Sequence, residues 1–116
     1  MSSTDDGLNG NWTFLTNHGH VLLALYRNGD LRQRDIARLV GITEGAVHRI
    51  LTELDECGYV DIERIGRRNH YRVNTSLGLR HPIEEGHDIG ELLERLAPEH
   101  DPATGQTRSQ VREHAA

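Results

Sequence analysis

Gly41 separates two short apolar-periodic runs by almost nothing, and this closeness constrains the chain more than any other feature. Before it, Ile36, Ala37, Leu39 and Val40 fit a short helix over residues 32–40 that Gly41 ends. After it, Thr43 can cap a new helix at once. Ile42 before that cap and Val47 four residues after it are spaced for a hydrophobic staple, and Val47, Ile50, Leu51 and Leu54 form one buried face. Two helices joined so tightly cross steeply only where a small residue sits at the contact, a glycine permits the turn and apolar side chains hold the crossing. Ala37, Gly41 and Ile42 occupy those three places.

The flanking segments have equally definite signals. Gly58 can take the left-handed conformation after Cys57, with Tyr59 then covering Leu54, which stops the second of the two helices. Val60 and Ile62 next alternate with Asp61 and Glu63, and Tyr71 and Val73 with His70, Arg72 and Asn74. Gly66, Arg67, Arg68 and Asn69 lie between, so the pattern is a hairpin with a basic tip. A lone hairpin is marginal in water and must lay its Val60, Ile62, Tyr71 and Val73 face on the helices.

Upstream, Thr16 caps a helix over residues 16–28 containing Val21, Leu22, Leu23, Leu25 and Tyr26, with Gly29 as its stop. With Trp12, Phe14 and Leu15 ahead of it, this segment has more apolar surface than one narrow stripe, which predicts a second packing partner. Downstream, Ile89, Leu92, Leu93 and Leu96 fall on one helical stripe that ends at Ala97 and Pro98. So short a helix must dock, on its own domain or on the same helix of a second chain.

From residue 33 to 52 the apolar and turn positions resemble the helix-turn-helix of bacterial and archaeal regulators. The hairpin that follows narrows the resemblance to winged-helix regulators of the MarR and ArsR type, in the order helix, short strand at Leu31, helix, helix, strand, wing, strand. The resemblance covers residues 16–73, with the stripe from Ile89 to Leu96 matching an added C-terminal helix in position. The fold class expected is therefore α+β, mainly α: a winged helix-turn-helix with a three-helix core, a β-hairpin wing and an additional C-terminal helix.

In such proteins the third helix enters the major groove and the wing tip meets the backbone or minor groove. Carried onto this chain, the resemblance implies a reading face of Thr43, Glu44, Gly45, His48, Arg49 and Thr52. Arg49 is the expected base reader, because its fork suits guanine; the competing reading pairs it with Glu53 at i+4. His48 can donate to a base or phosphate, or simply pack. Glu44 is expected to favour the helix N-terminus electrostatically, although it can also accept from cytosine. Gly45 lowers helix propensity by up to about 1 kcal/mol, a cost that asks for a reason such as close approach of DNA. At the wing, Arg67, Arg68 and Asn69 are expected on phosphate or the minor groove, or else as a charged turn that discourages edge pairing. Arg32 and Gln33, opening the second helix, are expected to meet a phosphate.

The formal net charge of -5 weighs against a nucleic-acid binder, but the charge is unevenly spread. Residues 27–72 hold nine arginines against eight acids, so the excess acid lies towards the ends. All 13 basic residues are arginine, which suits bidentate recognition and also follows from a GC-rich genome. One cysteine excludes an intramolecular disulfide, and no apolar stretch approaches the roughly 20 residues of a membrane helix. The acidic N-terminus is unlike a signal peptide, so the expected compartment is the cytoplasm.

Eight histidines raise a metal-sensing alternative, through His81, Glu84, His87, Asp88 and Glu91 or through His18 and His20, but no spacing matches a four-ligand site. Cys57, beside Glu56, lacks the cationic setting of a reactive thiolate. No phosphate loop, metalloprotease pair or nucleophile motif appears, so neither catalysis, a metal nor a cofactor is expected.

The mean hydropathy of -0.62 places part of the chain outside the core. Residues 1–11 are expected to be flexible, 12–80 to form the DNA-binding domain, 81–97 to carry a dimerising helix and 98–116 to be a disordered tail. The expected activity is sequence-specific binding of double-stranded DNA by a homodimeric transcriptional repressor. The principal alternative is a winged helix used only for protein contacts.

Overall fold

Thr16 and Thr43 each turn a hydroxyl oxygen back onto the first turn of a helix, accepting from Gly19 N–H at 3.2 Å and Ala46 N–H at 3.0 Å. These caps satisfy amides that a helix start leaves unpaired. The structure, a computed structural model, describes residues 12–97 and the two-residue strands at 100–101 and 106–107. Expectations for residues 1–11 and for the rest of 98–116 lie outside the described residues.

In chain order the elements are α1 (Asn17–Arg27), α2 (Gln33–Val40), α3 (Glu44–Glu56), β1 (Val60–Ile65), β2 (Arg68–Val73), a 3-10 turn (Pro82–Glu84), α4 (Ile89–Leu96), β3 (His100–Asp101) and β4 (Gln106–Thr107). Strands β1 and β2 pair antiparallel, with Val60 opposite Val73 and Ile62 opposite Tyr71; β3 pairs with β4. This is the expected winged helix, mainly α with a β-hairpin.

Gly41 ends α2 at φ 87°, and the N–H groups of Gly41 and Ile42 both donate to the Ala37 carbonyl, at 2.8 and 3.1 Å. Only glycine takes that conformation cheaply, so the tight turn into α3 depends on it. At the far end of α3, Gly58 N–H donates to Asp55 and Tyr59 N–H to Leu54, the paired bonds of a Schellman ending.

The core lies where α1, α2 and α3 meet. Val21, Ile36, Val47 and Val60 are wholly inaccessible, and Leu25, Ile50 and Leu51 nearly so. Each such burial contributes roughly 1.5–3 kcal/mol before the cost of ordering is counted. Tyr71 closes the hairpin side; Ile89 and Leu93 of α4 are buried in the same core.

Several local expectations are corrected. The hairpin lays only Val60 and Tyr71 fully on the helices. Val73 is half-buried, and Ile62, opposite Tyr71 on the strand that does not bond to the turn after α1, is 40% exposed. The interruption is narrower than four residues: Arg68 and Asn69 already belong to β2, leaving Gly66 and Arg67 as the turn.

No strand forms at Leu31, which packs half-buried against the core. The chain makes its backbone bond to β2 two residues earlier, where Tyr71 N–H donates to the Gly29 carbonyl at 2.9 Å. Gly29 follows the end of α1 as expected, without a left-handed backbone. A Cβ there would lie 2.2 Å from the Tyr71 carbonyl oxygen, so the glycine permits close approach of the wing.

Helix α4 docks on its own domain. Ile89 and Gly90 donate backbone N–H groups to Leu77 and Thr75, Asp88 caps Glu91 N–H at 2.9 Å, and Tyr26 hydroxyl donates to Glu94 at 2.8 Å. Ile89 and Leu93 point inward, whereas Leu96 remains 46% exposed. Beside α4, a groove of about 530 Å³ runs between Phe14, Leu15, Leu22, Leu54, Leu79 and Leu92.

Candidate nucleic-acid interface

One side of α3 is consumed by the core and the other is open. Val47, Ile50, Leu51 and Leu54 are buried; Thr43, Glu44, Gly45, His48, Arg49 and Thr52 are all exposed. The two sets separate because the apolar residues recur at helical spacing.

Several side chains on this face already have work inside the protein. Thr43 caps the helix, and the Thr52 hydroxyl donates to the His48 carbonyl at 2.9 Å. Glu44 lies in the first turn, where its charge complements the helix dipole. Gly45 has no internal duty that requires glycine, since a Cβ there would meet only Thr43 Oγ1 at 3.9 Å.

Arg49 stands apart. Glu53, its neighbour at i+4, accepts instead from His18 Nε2, and among the described residues no carboxylate bridges Arg49. The guanidinium therefore presents its full donor fork outward from the middle of α3.

The wing group divides. Arg67, at the turn, is exposed and has no hydrogen bond or ion pair among the described residues. Arg68 Nη2 donates to the Asp30 carbonyl, committing part of its donor set to the protein. Asn69 is half-buried, its amide 3.5 Å from the Tyr71 hydroxyl. Arg64, which no sequence signal singles out, is exposed beside the turn and donates from Nε to the Gly66 carbonyl at 3.3 Å.

At the start of α2, Arg32 is exposed and Gln33 half-buried. The Arg32 N–H donates to Asp35 Oδ2 at 3.3 Å, so an internal carboxylate already occupies that amide. The Arg32 side chain is left to face a phosphate there, with the half-buried Gln33 beside it.

The histidines are dispersed. His18 joins Glu53, His20 faces Asn17, His70 faces Asp30, His81 Nδ1 accepts from Ile83 N–H, and His87 joins Glu91 at 2.7 Å. The Glu91 hydrogen bond and charge raise the His87 pKa above its ordinary value. Among the described residues no group of three or more His, Cys, Asp or Glu is gathered to hold a metal. Nor is any helix among them long and apolar enough to cross a membrane.

The sequence profile of the MarR family matches residues 8–68, from ahead of α1 to the first residue of β2. An uncharacterized protein of Methanocaldococcus jannaschii is 32% identical over 59 residues, which make up 50% of this chain and 13% of that protein. The chain thus spans only a small part of that relative's length. No solved structure matches. A profile matching more than half the chain, over a three-helix core with an antiparallel wing and an outward-facing α3, decides between the two types that the sequence resembled: the chain belongs to the MarR family of winged helix-turn-helix transcriptional regulators.

Proposed function

We propose that this protein is a cytoplasmic transcriptional repressor that binds a pseudo-palindromic DNA site as a homodimer. Helix α3 lies in the major groove with Arg49 bidentate on a guanine, and the wing tip meets the sugar-phosphate backbone through Arg67. His48, Thr52 and Gly45 border the reading contact, while Arg32 and Arg68 supply phosphate contacts at the edges. The observation that carries this reading is the outward, unbridged guanidinium of Arg49 on a helix whose opposite face is wholly packed. Occupancy of the site is sufficient to block transcription.

The homodimer is supported by apolar surface that its own domain does not cover. Phe14 is 91% exposed and stacks edge-on against Trp12 at 4.7 Å, and Leu96 lies outward on α4. A two-fold dimer presents two α3 helices to half-sites about one helical turn apart.

The test is retention of sheared genomic DNA at low salt, followed by selection of the bound fragments. Arg49→Ala is expected to relax sequence preference, and Arg67→Ala to weaken all sites alike and flatten the salt dependence. Retention of no fragment would leave a winged helix that serves protein contacts alone. Phe14→Ser is expected to shift the sedimenting species from dimer to monomer; a wild-type monomer at micromolar concentration would remove the dimer.

A further inference from the structure

The distal wing has almost nothing beneath it. From Asp61 to Arg68 every residue is exposed, and a two-stranded ribbon alone does not hold its direction in water. What fixes its direction lies on the outer edge of β2, at the turn between α1 and α2. Tyr71 N–H donates to Gly29, Arg68 Nη2 donates to the Asp30 carbonyl, and His70 Nδ1 meets the Asp30 carboxylate. A carboxylate has no proton to give at neutral pH, so Nδ1 carries the hydrogen. Arg68 and His70 alternate along β2 and therefore project on one face, towards Asp30.

We propose that Asp30 is a positioning residue for DNA binding: by clasping His70 with its carboxylate and Arg68 with its carbonyl, it sets where the neighbouring Arg67 meets the phosphate backbone. This rests on the DNA-binding reading above. An acid close to a DNA-facing wing repels phosphate, so electrostatics alone make its removal favourable to binding. The clasp makes its removal unfavourable. The two accounts differ in sign.

The experiment uses the full chain and sheared genomic duplex DNA, with binding measured over a range of salt and below the unfolding transition of every variant. Asp30→Ala is expected to weaken binding about three- to tenfold, the worth of one such hydrogen bond, and to lower the salt slope by about one. Adding Arg67→Ala in that background is expected to change little more. Asp30→Asn, whose amide oxygen can still accept from His70, is expected to bind at least as well as wild type. His70→Ala removes the same bond from the other side while leaving the acid in place, and is expected to weaken binding at least as much as Asp30→Ala, which covers the case of an Asp30 variant that fails to fold.

If Asp30→Ala binds as tightly as Asp30→Asn, or His70→Ala binds like wild type while Arg67→Ala is weakened, the clasp is overturned and the DNA reading stands. Equal binding by wild type and Arg67→Ala would overturn the wing contact itself, and the clasp with it.

Discussion

Glu53 lies one helical turn beyond Arg49 on α3, yet its carboxylate meets His18 Nε2 of α1 at 2.5 Å and leaves Arg49 unbridged. Both partners of that pair are about half exposed, so the bond contributes little to stability in itself. Its effect is on the choice open to Glu53. His18→Ala releases the carboxylate to its i−4 arginine, a pairing worth a few tenths of a kcal/mol that must be broken for Arg49 to make the proposed base contact. Binding to a selected duplex is expected to fall about twofold, and His18→Ala combined with Glu53→Gln to recover it. Failure of the double variant to recover would show that His18 acts in some other way.

Gly45→Ala separates folding from recognition. An alanine meets nothing closer than Thr43 Oγ1 at 3.9 Å on the exposed face of α3 and raises helix propensity, so thermal stability is expected to rise by up to about 1 kcal/mol. Affinity for DNA is expected to fall, because the added methyl holds the backbone away from the groove. Unchanged affinity in the stabilised variant would leave the glycine without a role in DNA approach.

Gly29→Ala strikes the wing from beneath. The added methyl would sit 2.2 Å from the Tyr71 carbonyl oxygen, and neither backbone can give way without breaking the bond between them. Denaturant unfolding is expected to show a loss of about 1–3 kcal/mol, the usual range for forcing a group into occupied space. Gly29→Ala with wild-type stability would mean that the wing does not approach the turn so closely.

His87 provides the pH dependence. Its pKa is raised above the ordinary 6.5 chiefly by the hydrogen bond to Glu91, then by the charge of that carboxylate, with Asp88 adding to it. Since the folded-state value is the higher one, the pair stabilises the fold fully below the unfolded value. Its contribution fades as pH rises through the folded value. Thermal unfolding between about pH 5.5 and pH 8 is expected to show a small loss on the alkaline side that Glu91→Gln removes. The same loss in that variant would mean that the His87–Glu91 pair is not its source.

The features legible in the sequence are those whose cause is local. Thr43 caps its helix through a residue three positions away, and the α3 stripe and the Gly58 ending depend on neighbours within two turns. Gly29 reads from the sequence only as a helix stop, because the atom that requires a glycine there, the Tyr71 carbonyl oxygen, is 42 positions away in the chain. Asp30 likewise reads as an ordinary turn acid until folding brings His70 and Arg68 to it across 40 and 38 positions. Sequence also suggested Glu53 as the partner of Arg49, since i+4 spacing is visible and the approach of α1 to α3 is not.

The passage from α3 to β1 has no slack. Cys57, Gly58 and Tyr59 are its only residues; their N–H groups bond back to α3, and the Tyr59 carbonyl accepts from Asn74 at 2.8 Å. Helix α3 and the wing are therefore the two jaws of a caliper with a set gap. In the complex proposed above, a duplex whose grooves do not match that gap must itself bend or change groove width. Base steps that deform easily then gain affinity at positions no side chain touches.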